Sequence, residues 1–177
     1  MLKNHLLEVE GMKALVTYYS DTGNTKKLAQ AVYEGIERAE KDILPLSEVK
    51  DTAGYDVIFF GFPVHSHSVP GKAEAFLKSI EDGKKLALFA THGSLRGGQL
   101  AITAFYYAMS VVPKAQVIGT FGCRGAVKPS VIEALMKKLE HQAWAMEAQS
   151  AAGHPDDADL ADGREWAKWM IGKARAS

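Results

Sequence analysis

The sequence predicts an α/β sandwich in which five parallel strands form one open sheet, helices pack on both faces, and a further helix ends the chain. Three observations carry that expectation. Strand-length apolar runs alternate with longer amphipathic segments, the order that right-handed βαβ crossovers produce. The run DVIFFG at residues 56–61 is apolar almost throughout, as a strand buried on both faces must be. Three loops that follow strands are rich in glycine, hydroxyls or histidine, and ligands of open parallel sheets gather beyond the strands' carboxyl ends.

Each element follows from local pattern. MKALVTYY, residues 12–19, is short, partly β-branched and followed by turn residues, so it reads as the first strand. From Thr25 onward Leu28, Ala29, Val32 and Ile36 recur at helical spacing while Lys26, Lys27, Glu34 and Glu37 fall elsewhere. Residues 42–46 form a weak second strand and residues 56–61 a strong third. A helix over 73–80 precedes the fourth strand, LALFAT at 86–91; a helix over 99–111 precedes the fifth, at 115–121. Residues 130–149 read as one long helix, 150–155 as a loop, and 156–174 as the terminal helix. Strands one, three and four then lie side by side in the order 2-1-3-4-5, so their loops share one crevice.

Composition limits the partners. The 177 residues include 21 basic and 21 acidic side chains, so no net field recruits nucleic acid or an anionic membrane. No apolar run approaches the roughly 20 residues that cross a bilayer. The lone cysteine, Cys123, forms no internal disulfide and fits a reducing cytoplasm. Residues 1–11 lack the pattern of a secretory signal and are read as a leader of unassigned function; residues 12–177 are read as a single domain.

The first loop, YYSDTGNT at residues 18–25, offers the amides of a helix start, hydroxyls on Ser20, Thr22 and Thr25, and Gly23 for close backbone approach. That combination suits a phosphate monoester. It lacks the lysine of a nucleoside-triphosphate loop and the spaced glycines of a dinucleotide fingerprint. The plainer reading is a capped helix: Ser20 or Asp21 accepts the first amides and Gly23 relieves a tight turn.

YYSDTGNT before a helix resembles the FMN phosphate loop of the flavodoxin family, whose usual form Ser/Thr-x-Thr-Gly-x-Thr is met by Ser20, Thr22, Gly23 and Thr25. The resemblance continues through GFPVHSHSVP, at the place of the second flavin loop, and through FATHGSLRGG, which is similar to the flavin loop of flavodoxin-like quinone reductases. It covers residues 12–149, and the tail HPDDADLADGREWAKW resembles the end of short stand-alone flavodoxin-like proteins. The family implies a flavodoxin-like three-layer sandwich with FMN bound noncovalently. Ser20, Asp21, Thr22, Gly23, Asn24 and Thr25 would hold the phosphate. Phe62, Pro63, Val64, His65 and Ser66 would line one side of the isoalloxazine ring, and Thr91, His92, Gly93 and Ser94, with Gly98 in the same loop, would face its pyrimidine edge. Flavin supplies the redox chemistry, so no catalytic side chain and no metal is required. An electron carrier serving a redox partner protein is the expected role; an NAD(P)H-dependent quinone reductase is the alternative, and a cofactor-free interaction module a third.

Several residues depart from the family pattern or invite other readings. Phe62 is the one aromatic in the ring loops, and the neutral chain differs from strongly acidic carriers. Arg96 offers charge to a reduced flavin or a substrate carboxylate, or simply meets solvent. His65, His67 and His92 could converge as a three-histidine zinc site, although neither loop supplies an acidic residue to support the ligands. Cys123 lacks the anion loop of a nucleophilic cysteine, and Asp156, Asp157, Asp159 and Asp162 read as favourable charge at a helix start. Trp144, Trp166 and Trp169 are read as packing their helices against the sheet, or as a homodimer contact.

Overall fold

The computed structural model describes residues 11–112 and 114–177, and of the expected leader all but Gly11 lies outside them. Five strands, β1 (Lys13–Tyr18), β2 (Glu40–Pro45), β3 (Val57–Pro63), β4 (Lys85–His92) and β5 (Gln116–Arg124), pair in parallel in the order β2-β1-β3-β4-β5. Between and after them run α1 (Asn24–Gly35), α2 (Gly71–Ser79), α3 (Gln99–Ser110), α4 (Pro129–Met136), α5 (Gln142–Gln149) and α6 (Asp157–Ala176).

Strand periodicity sorts the side chains into two cores. Val57 and Phe59 point to one face, where Val16, Phe89 and Ile118 join Leu28 and Val32 of α1 and Ala167 and Ile171 of α6. Ile58, Phe60 and Phe62 point to the other, against Ala73 and Leu77 of α2 and Ala104 and Ala108 of α3. Residues 57–62 are all buried, which explains the unbroken apolar run. Each fully buried Phe or Leu contributes about 1.5–3 kcal/mol. The two layers therefore fix the central strands, and the strands fix the loops.

Glycine lets α1 and α6 meet at backbone distance. A Cβ on Gly35 would stand 2.3 Å from the Arg164 carbonyl oxygen, and one on Gly163 would stand 2.8 Å from Leu28 Cδ1. Asp156 caps α6: its carboxylate accepts from Asp159 N at 2.9 Å while the Asp159 carboxylate accepts from Asp156 N at 3.1 Å. The acidic cluster is thus a helix start, as its charge pattern predicts.

The long helix expected over 130–149 is instead two helices. Lys138 turns extended, at φ −111° and ψ 115°, and α5 folds back so that Ile132 meets Ala145 and Ala148 in a small separate cluster. A straight helix of that length would extend about 30 Å and leave those apolar positions unpaired. Of the three tryptophans, Trp166 packs on the sheet, edge-on to Phe59 at 5.9 Å and stacked on Phe121 at 5.6 Å. Trp169 is 74% exposed, and Trp144 turns toward the loop after β4. The expectation that all three pack on the sheet is corrected for those two.

Candidate functional site

Register brings the three loops to one edge. Tyr18 lies opposite Gly61, Pro63 opposite Thr91, and His92 opposite Arg124, so β1, β3, β4 and β5 deliver their following residues to neighbouring positions. The sheet order places the first loop between the chain's second and third strands, beside the other two.

The first loop closes on itself around Ser20. Ser20 Oγ accepts from Gly23 N at 3.1 Å and from Lys26 N at 3.4 Å. Gly23 is the N-cap of α1 at φ +92°, a left-handed conformation that glycine adopts without strain. No atom lies within 4 Å of where its Cβ would be, which leaves an opening over the helix start. The amides of Asn24 and Thr25, in the first turn, have no intrahelical partner. Thr22 is exposed at the rim. Thr25 differs from expectation: it is 1% exposed, and its hydroxyl shares a 2.9 Å hydrogen bond with Thr91 Oγ1. Its side chain joins β4 to α1 and is turned away from solvent. Asn24 likewise turns its amide group inward, donating from Nδ2 to the Ala126 carbonyl at 2.9 Å.

The second loop turns tightly. His65 N donates to Ser68 O at 3.0 Å and Ser68 N to His65 O at 2.8 Å, with Ser66 at φ +45° and His67 at φ +69° between them. Two successive positive φ values describe a type I′ turn built without glycine. Pro63 and Val64 are half-buried, and Val64 N continues the ladder to Thr91 O at 2.9 Å. Phe62 is fully buried in the core, 6.0 Å from Phe60 and 5.9 Å from Phe105. Its ring is therefore unavailable to a ligand face. His65 reaches the first loop: its Nε2 lies 3.2 Å from Asp21 Oδ2, and the other Asp21 oxygen accepts from Tyr19 OH at 2.7 Å. That hydrogen bond raises the Tyr19 pKa above its ordinary value.

The third loop is held from beneath and from one side. His92 is 4% exposed, on the α3 face beside Gly122, and its Nδ1 stands 3.0 Å from the Ser94 carbonyl. Burial holds its pKa below the ordinary histidine value, so the ring is neutral and Nδ1–H donates; Nε2 has no partner among the described residues. Ser94 is 3% exposed and its hydroxyl accepts from Trp144 Nε1 at 3.0 Å. The Ser94 carbonyl also accepts from Arg124 Nε at 3.2 Å, and Leu95 N donates to Glu147 Oε1 at 2.5 Å. Gly93 is pressed so close to Val127 that a Cβ would come within 2.5 Å of its Cγ2. Gly98 caps α3 and donates to Leu95 O at 2.9 Å. Arg96 lies away from the loop centre, 2.6 Å from Asp162 Oδ2 and over the Phe121 ring at 5.1 Å. The charge once open to a reduced flavin or a carboxylate is already paired.

The histidines do not gather. His65 pairs with Asp21, His67 is exposed in the turn, and His92 is buried on the α3 side of the sheet. Among the described residues, the grouping with metal-compatible spacing is His154, Asp156 and Asp159, whose carboxylates cap α6. Cys123 is buried within the α1 and α6 core, and desolvation pushes its thiol up to about 12, so it is no nucleophile. Arg124, Trp144 and Glu147 are site residues that loop motifs miss, because they come from β5 and α5. Strand alignment would have found one of them: the register sets Arg124 opposite His92.

Comparison with known proteins agrees with this fold. The family profile for the flavodoxin domain matches residues 15–168. The flavodoxin-like domain-containing protein BilS of Clostridioides difficile (strain CD3) is 31% identical over 176 residues, covering 92% of this chain and 98% of that protein. Among solved structures, a flavodoxin from the domain Archaea matches with a TM-score of 0.61 at 19% identity, over 93% of this chain and 99% of that one. A WrbA-like flavodoxin from Agrobacterium tumefaciens matches with a TM-score of 0.60 at 18% identity, over 94% of this chain and 99% of its own. Proteins of this family typically bind FMN, and by its sequence match over most of its length this chain belongs to the flavodoxin family.

Proposed function

We infer that the chain binds FMN noncovalently at the edge formed by the three loops and transfers electrons to or from a partner protein in the cytoplasm. The observation that carries this is the opening at Gly23: a left-handed N-cap and clear space where a Cβ would stand, at a helix start whose first-turn amides have no intrahelical partner. A phosphate dianion fits such a cradle, because amide dipoles and the positive end of α1 neutralise it without a lysine. Ser20 Oγ now occupies two amides and would turn to donate its own proton to a phosphate oxygen.

The remaining loops fit the ring in part. In this reading the backbone of Gly93 and Ser94 would supply donors to a heterocycle edge, and the half-buried Pro63 and Val64 with the exposed His65 would form a wall. With Phe62 in the core, the second and third loops offer no aromatic to a ring face. FMN, when bound, supplies the one- or two-electron chemistry. The protein's own residues bind it, orient it and exclude water from one side.

Purified protein mixed with FMN and freed of excess cofactor by gel filtration should retain flavin absorbance in equimolar amount. A colourless product contradicts the reading. The yellow protein given NAD(P)H and a quinone separates the roles: no nicotinamide oxidation is expected of an electron-transfer protein, and rapid oxidation identifies a quinone reductase.

A further inference from the structure

Five hydrogen bonds converge on two residues of the third loop, and four of them come from outside it or from beneath it. Trp144 Nε1 donates to Ser94 Oγ at 3.0 Å, Arg124 Nε to Ser94 O at 3.2 Å, and His92 Nδ1 to the same carbonyl at 3.0 Å. Leu95 N donates to Glu147 Oε1 at 2.5 Å, and Gly98 N returns to Leu95 O at 2.9 Å. The same Arg124 caps α5 at its carboxyl end, with Nη2 3.1 Å from Glu147 O and Nη1 3.0 Å from Ser150 O. One guanidinium thus joins the end of β5, the end of α5 and the loop after β4. Gly93 packs against Val127 closely enough that an added Cβ would force that side chain to shift, with Trp144 in contact beside it.

The helical excursion after β5 needs a reason. α6 already covers the sheet beside α1, so α4 and α5 are not required to close the core. They have a small cluster of their own, and their far side is solvent-exposed at Leu139 and Met146. The side that is used is the one carrying Trp144, Ala148 and Glu147, and it meets residues 93–95.

We propose that the α4–α5 excursion is a buttress that fixes the conformation of the third loop, with Trp144 and Glu147 as positioning residues for FMN. This rests on the FMN reading above. The loop contributes backbone donors, and donors tune a bound ring only if their direction is held; a loop free to shift by about 1 Å loses that control. Neither residue need touch the cofactor. Each acts through the orientation of Ser94 and Leu95.

The test uses the full chain. Trp144→Phe keeps a ring of similar shape and removes the indole donor, Glu147→Ala removes the acceptor for Leu95 N, and Leu139→Ala, on the exposed side, is the control. FMN affinity is read by fluorescence quenching, and the ratio of affinities for oxidised and reduced FMN by titration in each state. Amide hydrogen exchange at residues 93–95 is read without cofactor. The expected result is a fivefold or greater weakening of FMN binding and at least a threefold change in the affinity ratio for both positioning variants. Exchange at residues 93–95 should also be faster in both, with thermal midpoints within a few degrees of wild type and Leu139→Ala unchanged. Wild-type affinity and affinity ratio in both variants would overturn the buttress and leave FMN binding intact. If Trp144→Phe fails to fold, Glu147→Ala decides alone. Wild-type protein that takes up no FMN would overturn the functional reading and the buttress together.

Discussion

At Gly23 a single torsion angle separates a helix cap from an anion site. Its φ of +92° would cost an L-residue about 1–2 kcal/mol, and a new Cβ would project into the space assigned to phosphate. Gly23→Ala is therefore expected to lower stability by that amount in urea titration and to weaken FMN binding at least tenfold in fluorescence titration. His92 gives a second prediction, in pH. Its pKa is depressed by burial, so as pH falls below about 6.5 the unfolded chain takes up a proton that the folded chain refuses. Stability is then lost as pH falls, by at most about 1.4 kcal/mol per unit from this group, and the loss stops below the folded pKa. Comparing wild type with His92→Gln by denaturation between pH 7.5 and 5.5 isolates that component; identical slopes would contradict it. The sequence placed Ser20, Gly23 and His92 at or just after strand ends along one edge of the sheet, the edge proposed to hold FMN. It could not show that Thr25, Asn24, Phe62 and Ser94 turn their side chains away, because strand parity and three-dimensional partners decide orientation.

α1 and α6 lie so close that a methyl group decides their separation. Gly35→Ala would set a Cβ 2.3 Å from the Arg164 carbonyl oxygen, and backbone cannot yield as a flexible side chain can. The expected cost is about 1–3 kcal/mol in urea denaturation, with FMN affinity altered less than stability because the contact lies at the far end of α1 from Gly23. Stability equal to wild type would mean that the helices separate freely. Elements with strong period were legible in sequence: α1 from its Leu28, Val32 and Ile36 stripe, β3 from its unbroken apolar run, α6 from Pro155 and the aspartates that follow. The break at Lys138 was not. The stretch over 130–149 has no proline or glycine, and its turn is imposed by pairing Ile132 with Ala145 and Ala148.

For the whole molecule, ligand binding and folding are one equilibrium. FMN that binds only the folded chain stabilises it by about 2.7 kcal/mol at a hundredfold excess over Kd, or about 5–11 °C in thermal midpoint for a chain of this size. A riboflavin control, lacking phosphate, should stabilise much less. The alternation of strands and helices disclosed the architecture, and the glycine- and hydroxyl-rich loops pointed to the edge proposed here for FMN. The buttress from β5 and α5 stayed hidden because Arg124, Trp144 and Glu147 are scattered through the chain and meet only after folding. The most direct measurement is the absorbance spectrum of the purified chain after incubation with FMN and removal of free cofactor, beside Gly23→Val and Thr22→Val. Equimolar flavin on wild type and a marked loss on both variants is the result predicted. Equal retention by all three, or none by wild type, would contradict the cradle at Gly23.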